Sequence, residues 1–189
     1  RSSSERIRIG FVSNFFHFHP VSNCFGDIIK CVSREKFEVF TISMTSSTRD
    51  DTFKDLHGHS DGTISVPNNL DKARKMIADA RLDILIYPEI GMDSQTYLLA
   101  FSRLAPVQCV MSGHPDTTGI PNVDYFISNS YLEPKNADDH YSEKLIKLSS
   151  ILVGDIKTHA PREDASRIDY GIPKEANVYI CAQTPYKFH

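Results

Sequence analysis

Val107-Gln-Cys-Val-Met-Ser112 runs directly into Gly113-His-Pro-Asp-Thr-Thr-Gly119. An apolar run of this length reads as a buried strand, and the glycine-bounded loop after it carries an imidazole and two hydroxyls. Open α/β sheets place ligand chemistry in such loops, at the carboxyl ends of their strands. The same arrangement stands near the start of the chain, where Ile7-Arg-Ile-Gly-Phe-Val-Ser13 leads through Asn14-Phe-Phe-His17-Phe-His19-Pro20 into a helical pattern. Two strand ends therefore deliver imidazoles.

Strand and helix signals alternate between these segments. Val21, Cys24, Phe25, Ile28 and Val32 recur at helical spacing, and Phe37-Glu-Val-Phe-Thr-Ile-Ser43 reads as a strand. A polar helical turn over 50–56 precedes a short strand at 62–66. Leu70, Ala73, Met76, Ile77 and Ala80 mark the next helix, and Asp83-Ile-Leu-Ile-Tyr87 a strand buried on both faces. Asp93 caps a further helix that Pro106 ends. Strands are expected at 107–112, 123–127 and 144–148. This alternation predicts an α/β fold built on a doubly wound, Rossmann-like parallel sheet. Residues 6–148 form that lobe, 149–173 read as a connector with scattered charge and two prolines, and 174–189 open a second lobe with a strand at 177–182.

The chain has 189 residues, a net charge of −3 and an apolar fraction of 40%. That length suits one domain with a piece of another. The charge provides no electrostatic footprint for nucleic acid or an anionic membrane. No apolar run approaches a bilayer-spanning length, and Arg1-Ser-Ser-Ser-Glu5 lacks the form of a signal peptide. Cys24, Cys31, Cys109 and Cys181 fall in apolar patterns without metal-ligand spacing, which predicts reduced core thiols of a cytoplasmic protein.

The joint order of Ile9-Gly-Phe-Val-Ser13, His19-Pro20, Glu38-Val-Phe40, Gly113-His-Pro-Asp-Thr-Thr-Gly119, Asp124-Tyr125, Tyr141-Ser-Glu-Lys-Leu145, Ile172-Pro-Lys-Glu-Ala176 and Tyr186-Lys187 resembles the catalytic region of the O-linked N-acetylglucosamine transferase family of SPINDLY type. The likeness extends from about residue 6 to the end. Tyr87-Pro-Glu-Ile-Gly-Met-Asp93 and the 113–119 loop are closer to bacterial members than to animal ones. The resemblance implies the first lobe of a GT-B glycosyltransferase, inverting and metal-independent, with no cofactor. Its donor would be a UDP-sugar carrying N-acetylglucosamine or glucose, and its acceptor a protein side chain. A second lobe would complete the cleft, and upstream helical repeats are common in the family. This chain would then be a fragment inactive alone.

Inverting transfer requires an acceptor that loses a proton and a departing diphosphate whose charge is stabilised. The resemblance places Lys187 of Tyr186-Lys187 on the diphosphate and Gln183 near a nucleotide contact, with one residue more between Gln183 and Tyr186 than in the animal pattern. It makes His19 an active-site histidine. Pro20 suits the first helical position, so His19 becomes the N-cap, where the helix dipole favours neutral imidazole. A plain capping role competes with catalysis there. His114 would line the acceptor or sugar side. Asp124 matches a candidate proton acceptor, although an Asp-Tyr pair opening a strand also serves as a structural anchor. Thr117 and Thr118 would bind sugar hydroxyls or fix their loop.

Two other functions compete with transfer. His17 with His19, and His57 with His59, are i, i+2 pairs that suit a metal-dependent hydrolase. A lobe retained for protein contacts alone, as a non-catalytic binding domain, is the other.

Overall fold

The computed structural model describes residues 6–150 and 164–183. The chain divides into two compact units, Arg1–Ile156 and Lys157–His189. In the first, the strands β1 (Ile7–Val12), β2 (Phe37–Met44), β3 (Gly62–Val66), β4 (Ile84–Tyr87), β5 (Val107–Met111), β6 (Tyr125–Asn129) and β7 (Lys144–Leu148) form one sheet in the order 3-2-1-4-5-6-7. Every pairing is parallel. Helices α1 (Pro20–Cys31), α2 (Asp51–Gly58), α3 (Leu70–Asp79) and α4 (Ser94–Ala100) connect the first five strands. This is the doubly wound sheet that the alternation predicts.

The period of two along each strand sorts the core into two layers. Ile9 and Phe11 of β1 and Ile86 of β4 pack with Phe25 and Ile29 of α1 and Phe53 and Leu56 of α2. Val12 of β1 and Leu85 and Tyr87 of β4 face the other way, onto Ala73 and Ile77 of α3 and Leu99 of α4. Each helix begins at a side chain that accepts one of its free N–H groups, which sets where the turn starts. His19 caps α1, Asp50 α2, Asn69 α3 and Asp93 α4.

Three local expectations are corrected. The strand expected at 123–127 begins at Tyr125, because the Val123 N–H closes a turn on the Ile120 carbonyl at 3.0 Å and does not join a ladder. Residues 177–182 form no strand. A lone extended segment is not a strand without a neighbour to bond, and Tyr179 and Ile180 are exposed. Only Cys109 is a buried thiol: Cys24 is half-buried, Cys31 lies on the outer side of the last turn of α1, and Cys181 is exposed.

Candidate active site

The strand order reverses between β1 and β4, and the crevice at their carboxyl ends is where open sheets of this kind bind ligands. Ser13 follows β1 and Glu89 follows β4, and both are fully buried. The Ser13 hydroxyl donates to Oε1 of Glu89 at 2.9 Å and itself accepts the Phe15 N–H at 2.9 Å. Oε2 of Glu89 has no partner among the described residues. Burial, reinforced by the nearby charge of Asp93 and opposed by the Ser13 hydroxyl, pushes the Glu89 carboxyl up to about 8. At neutral pH it is mostly a carboxylic acid. Beside it, Asn14 donates to Asp93 at 3.1 Å and accepts from Ser47 at 2.7 Å. Asn14 and Asp93 edge a polar cavity of about 280 Å³ that also includes Ser46, Asn68 and Gln95.

His19 stands at the far end of the loop that Ser13 begins. Its backbone is extended, and Nδ1 accepts the Val21 N–H at 3.2 Å. The ring stacks on Phe15 with centroids 4.5 Å apart, and His17 lies 5.5 Å away. Partial burial and then the charge of His17 hold the His19 imidazole below its ordinary value, so it is neutral at pH 7. Because the cap occupies the Nδ1 lone pair, the neutral ring carries its hydrogen on Nε2. The other ring nitrogen is thus a hydrogen-bond donor. Asp50 secures the same loop from α2, accepting from the Phe18 N–H at 2.7 Å and the Phe53 N–H at 2.9 Å.

The 113–119 loop leaves β5 on the same edge of the sheet. Gly113 donates its N–H to the Pro88 carbonyl at 3.1 Å. A Cβ at this position would stand 2.4 Å from that carbonyl oxygen and 3.1 Å from the Phe25 ring of α1. Only glycine lets the loops after β4 and β5 approach so closely. His114, half-buried, packs its ring over Gly91, whose φ of +103° a side chain would strain. Its Nδ1 is 3.8 Å from Asp116.

Thr117 and Thr118 turn inward onto Glu143. The Thr117 hydroxyl donates to Oε2 at 2.7 Å, the Thr118 N–H donates to Oε1 at 2.9 Å, and the Thr118 hydroxyl donates to the same oxygen. Burial alone would raise the Glu143 carboxyl, but these donors outweigh it and hold the group below its ordinary value. The threonine hydroxyls therefore fix the loop.

Asp124 lies apart from these loops. It precedes β6 at the amino edge of the sheet, opposite the histidine loops, where it accepts from Arg103 at 2.5 and 3.0 Å and from the Gln108 N–H at 2.8 Å. The Arg103 guanidinium, with the Gln108 N–H, holds its carboxyl low. It is an ion-paired anchor on the edge opposite His19 and His114. His57 and His59 diverge as well: His57 stacks on Phe53 and reaches Ser43 at 3.3 Å, while exposed His59 bonds the Asp55 carbonyl. Among the described residues no three histidine, cysteine or acidic side chains gather into a metal donor set. Gln183 lies exposed in the second unit, and Tyr186 and Lys187 lie outside the described residues.

Ser13, Glu89 and Glu143 lie within stretches that carry the family likeness, yet the sequence alone assigns none of them a role. Glu89 had one legible signal, an acid one proline beyond the apolar run Ile84–Tyr87, with no cation near it in sequence.

Residues 1–168 match the family model described as Glycosyl transferase family 41. The chain belongs to this family. It is 27% identical over 190 residues to a probable UDP-N-acetylglucosamine–peptide N-acetylglucosaminyltransferase, SEC, of Arabidopsis thaliana, covering 97% of this chain and 19% of the relative. A UDP-N-acetylglucosamine–peptide N-acetylglucosaminyltransferase of Caenorhabditis elegans is 29% identical over 161 residues, covering 81% of this chain and 14% of its own length. A mutant O-GlcNAc transferase of Thermobaculum terrenum superposes with a TM-score of 0.71 at 29% identity, over 79% of this chain and 29% of that structure. The seven-stranded unit is thus a GT-B, Rossmann-like lobe of the family 41 type, and the chain spans a minor part of its relatives' length. No helix among its described residues is long and apolar enough to cross a membrane.

Proposed function

We propose that this lobe forms the acceptor side of a metal-independent, inverting glycosyl-transfer site that moves N-acetylglucosamine or glucose from a UDP-sugar to a protein side chain in the cytoplasm. The observation that carries this is the placement of His19 and His114 on one carboxyl edge of a family 41 sheet, flanking the crevice where the strand order reverses. His19 offers its Nε2–H as a fixed hydrogen bond to an oxygen of acceptor or donor, in the manner of a neutral imidazole electrophile. His114, whose nitrogens make no hydrogen bond among the described residues, takes the acceptor proton. The diphosphate is held from the second lobe, which we begin after the 149–173 connector, with Lys187, Tyr186 and Gln183 as its contacts.

The test uses the longer protein that carries both lobes. It is incubated with UDP-N-acetylglucosamine or UDP-glucose and serine-, threonine- or asparagine-bearing peptides, and peptide mass is read. Addition of one sugar residue is expected, with His114→Ala lowering turnover about 10²–10⁴-fold. An intact protein that binds peptide but moves no sugar would instead establish a non-catalytic binding lobe. The isolated chain is expected to transfer little or nothing, because one wall of a cleft holds a donor poorly.

A further inference from the structure

Glu89 is not among the groups that touch the proposed substrates, yet it is buried at the centre of the edge that carries both imidazoles. Its loop lies between the two histidine loops. On one side Oε1 holds Ser13, whose hydroxyl oxygen holds the Phe15 N–H, and Phe15 is the ring on which His19 stacks. Ser22 of α1 clamps the same residue by donating to the Phe15 carbonyl at 2.8 Å. On the other side Gly113 bonds the Pro88 carbonyl and packs against the Glu89 Cβ, leading into His114 over Gly91.

We propose that Glu89 is a positioning residue, a neutral carboxylic acid that holds the His19 loop in its donor geometry through Ser13 and Phe15. The form of the group follows from its surroundings. A carboxylate at this depth requires a cation or several donors, and Ser13 is its single side-chain donor. The titratable groups on the elements packed against it are Asp93 on its own loop, His17 and His19 after β1, and His114 after β5. Asp93 opposes ionisation, and α1 presents the Phe25 ring. Ionisation of Glu89 would place a second negative charge beside Asp93 and perturb the chain of contacts ending at His19. Its value of about 8 puts that event within reach of solution experiments.

This inference rests on His19 belonging to the site, but its test reads the imidazole directly, so that absence of sugar transfer would leave it standing. The His19 ring is followed by NMR across pH 5 to 9.5 in the wild-type chain and in Glu89→Gln, Glu89→Ala and Ser13→Ala. In the wild type, His19 is expected to titrate below 6.5 and to show a second step near pH 8 as Glu89 ionises. Glu89→Gln keeps an acceptor for Ser13 without a proton to lose. It should retain the low midpoint and lack the second step. Ser13→Ala, a small change that preserves the fold where Glu89→Ala fails to, should move the midpoint back toward 6.5. If the second step is absent from the wild type, or Ser13→Ala lowers the melting temperature and leaves the His19 midpoint in place, Glu89 is structural only and the proposal is overturned.

Discussion

His19 caps α1, and the proposed site asks a second task of the same ring; the magnitudes of the two differ enough to separate them. Losing an N-cap costs about 1 kcal/mol, whereas losing a group that works on the reacting atoms costs about 10²–10⁴-fold in rate. Asparagine caps as well as any residue but cannot place a hydrogen where Nε2 stood. In the two-lobed protein, His19→Asn is expected to keep its melting temperature within a few degrees while peptide glycosylation falls at least about 10²-fold. Retained turnover would reduce His19 to a cap. Glu89 makes a separate prediction about stability. Its folded value of about 8 stands above the ordinary 4.5, so the folded chain binds more protons than the unfolded one between those limits. Stability from this group is therefore full below about 4.5 and declines as pH rises to about 8. Glu89→Gln should flatten urea-unfolding stability across that window and exceed the wild type at pH 9, by on the order of 3 kcal/mol. A parallel decline in both proteins would show that the carboxyl is already ionised.

The loops are held by contacts between elements that lie far apart in sequence. Gly113 joins the loop after β5 to that after β4, and Gly113→Ala would press a methyl group to 2.4 Å from the Pro88 carbonyl. Backbone cannot yield as a flexible side chain does, so a loss of about 1–3 kcal/mol is expected by denaturant unfolding, with a shift of the His114 resonances. Glu143 ties the same loop to the start of β7. Glu143→Ala leaves the Thr118 N–H and two hydroxyls without their acceptor, which should cost about 2–4 kcal/mol. The direction of its pKa adds a pH signature. Because the folded value is depressed, the stabilisation is present above the ordinary 4.5 and is lost as pH falls through the folded value. The wild type should lose stability on acidification there, and Glu143→Gln should lose less.

At the scale of the whole sheet, parallel strands give two chemically distinct edges. The carboxyl edge gathers Ser13, His19, Glu89 and His114, and the amino edge gathers Asp83, Arg103 and Asp124, with Glu143 beside Asp124 at the start of β7. Asp124→Asn is thus expected to cost about 1 kcal/mol, since its pair with Arg103 is partly exposed. Peptide glycosylation by the two-lobed protein should be unchanged; a loss of about 10²-fold without unfolding would return Asp124 to the chemistry.

Much of this molecule was determined locally. Period-two apolar runs made the strands, four polar caps started the helices, and the alternation of the two dictated a doubly wound sheet, because each of these features depends on neighbours a few residues away. The imidazoles of His19 and His114 were legible for the same reason, as each follows its own strand. Only the tertiary structure decided which acids meet those loops. Asp124 and Glu143 each directly precede a strand at the amino edge, yet one is paired with Arg103 and the other is bound by Thr117 and Thr118. Only the fold encloses Glu89. A carboxyl's charge depends on the water, donors and countercharges around it, and strands β1, β4 and β5 supply that environment from segments far apart in sequence.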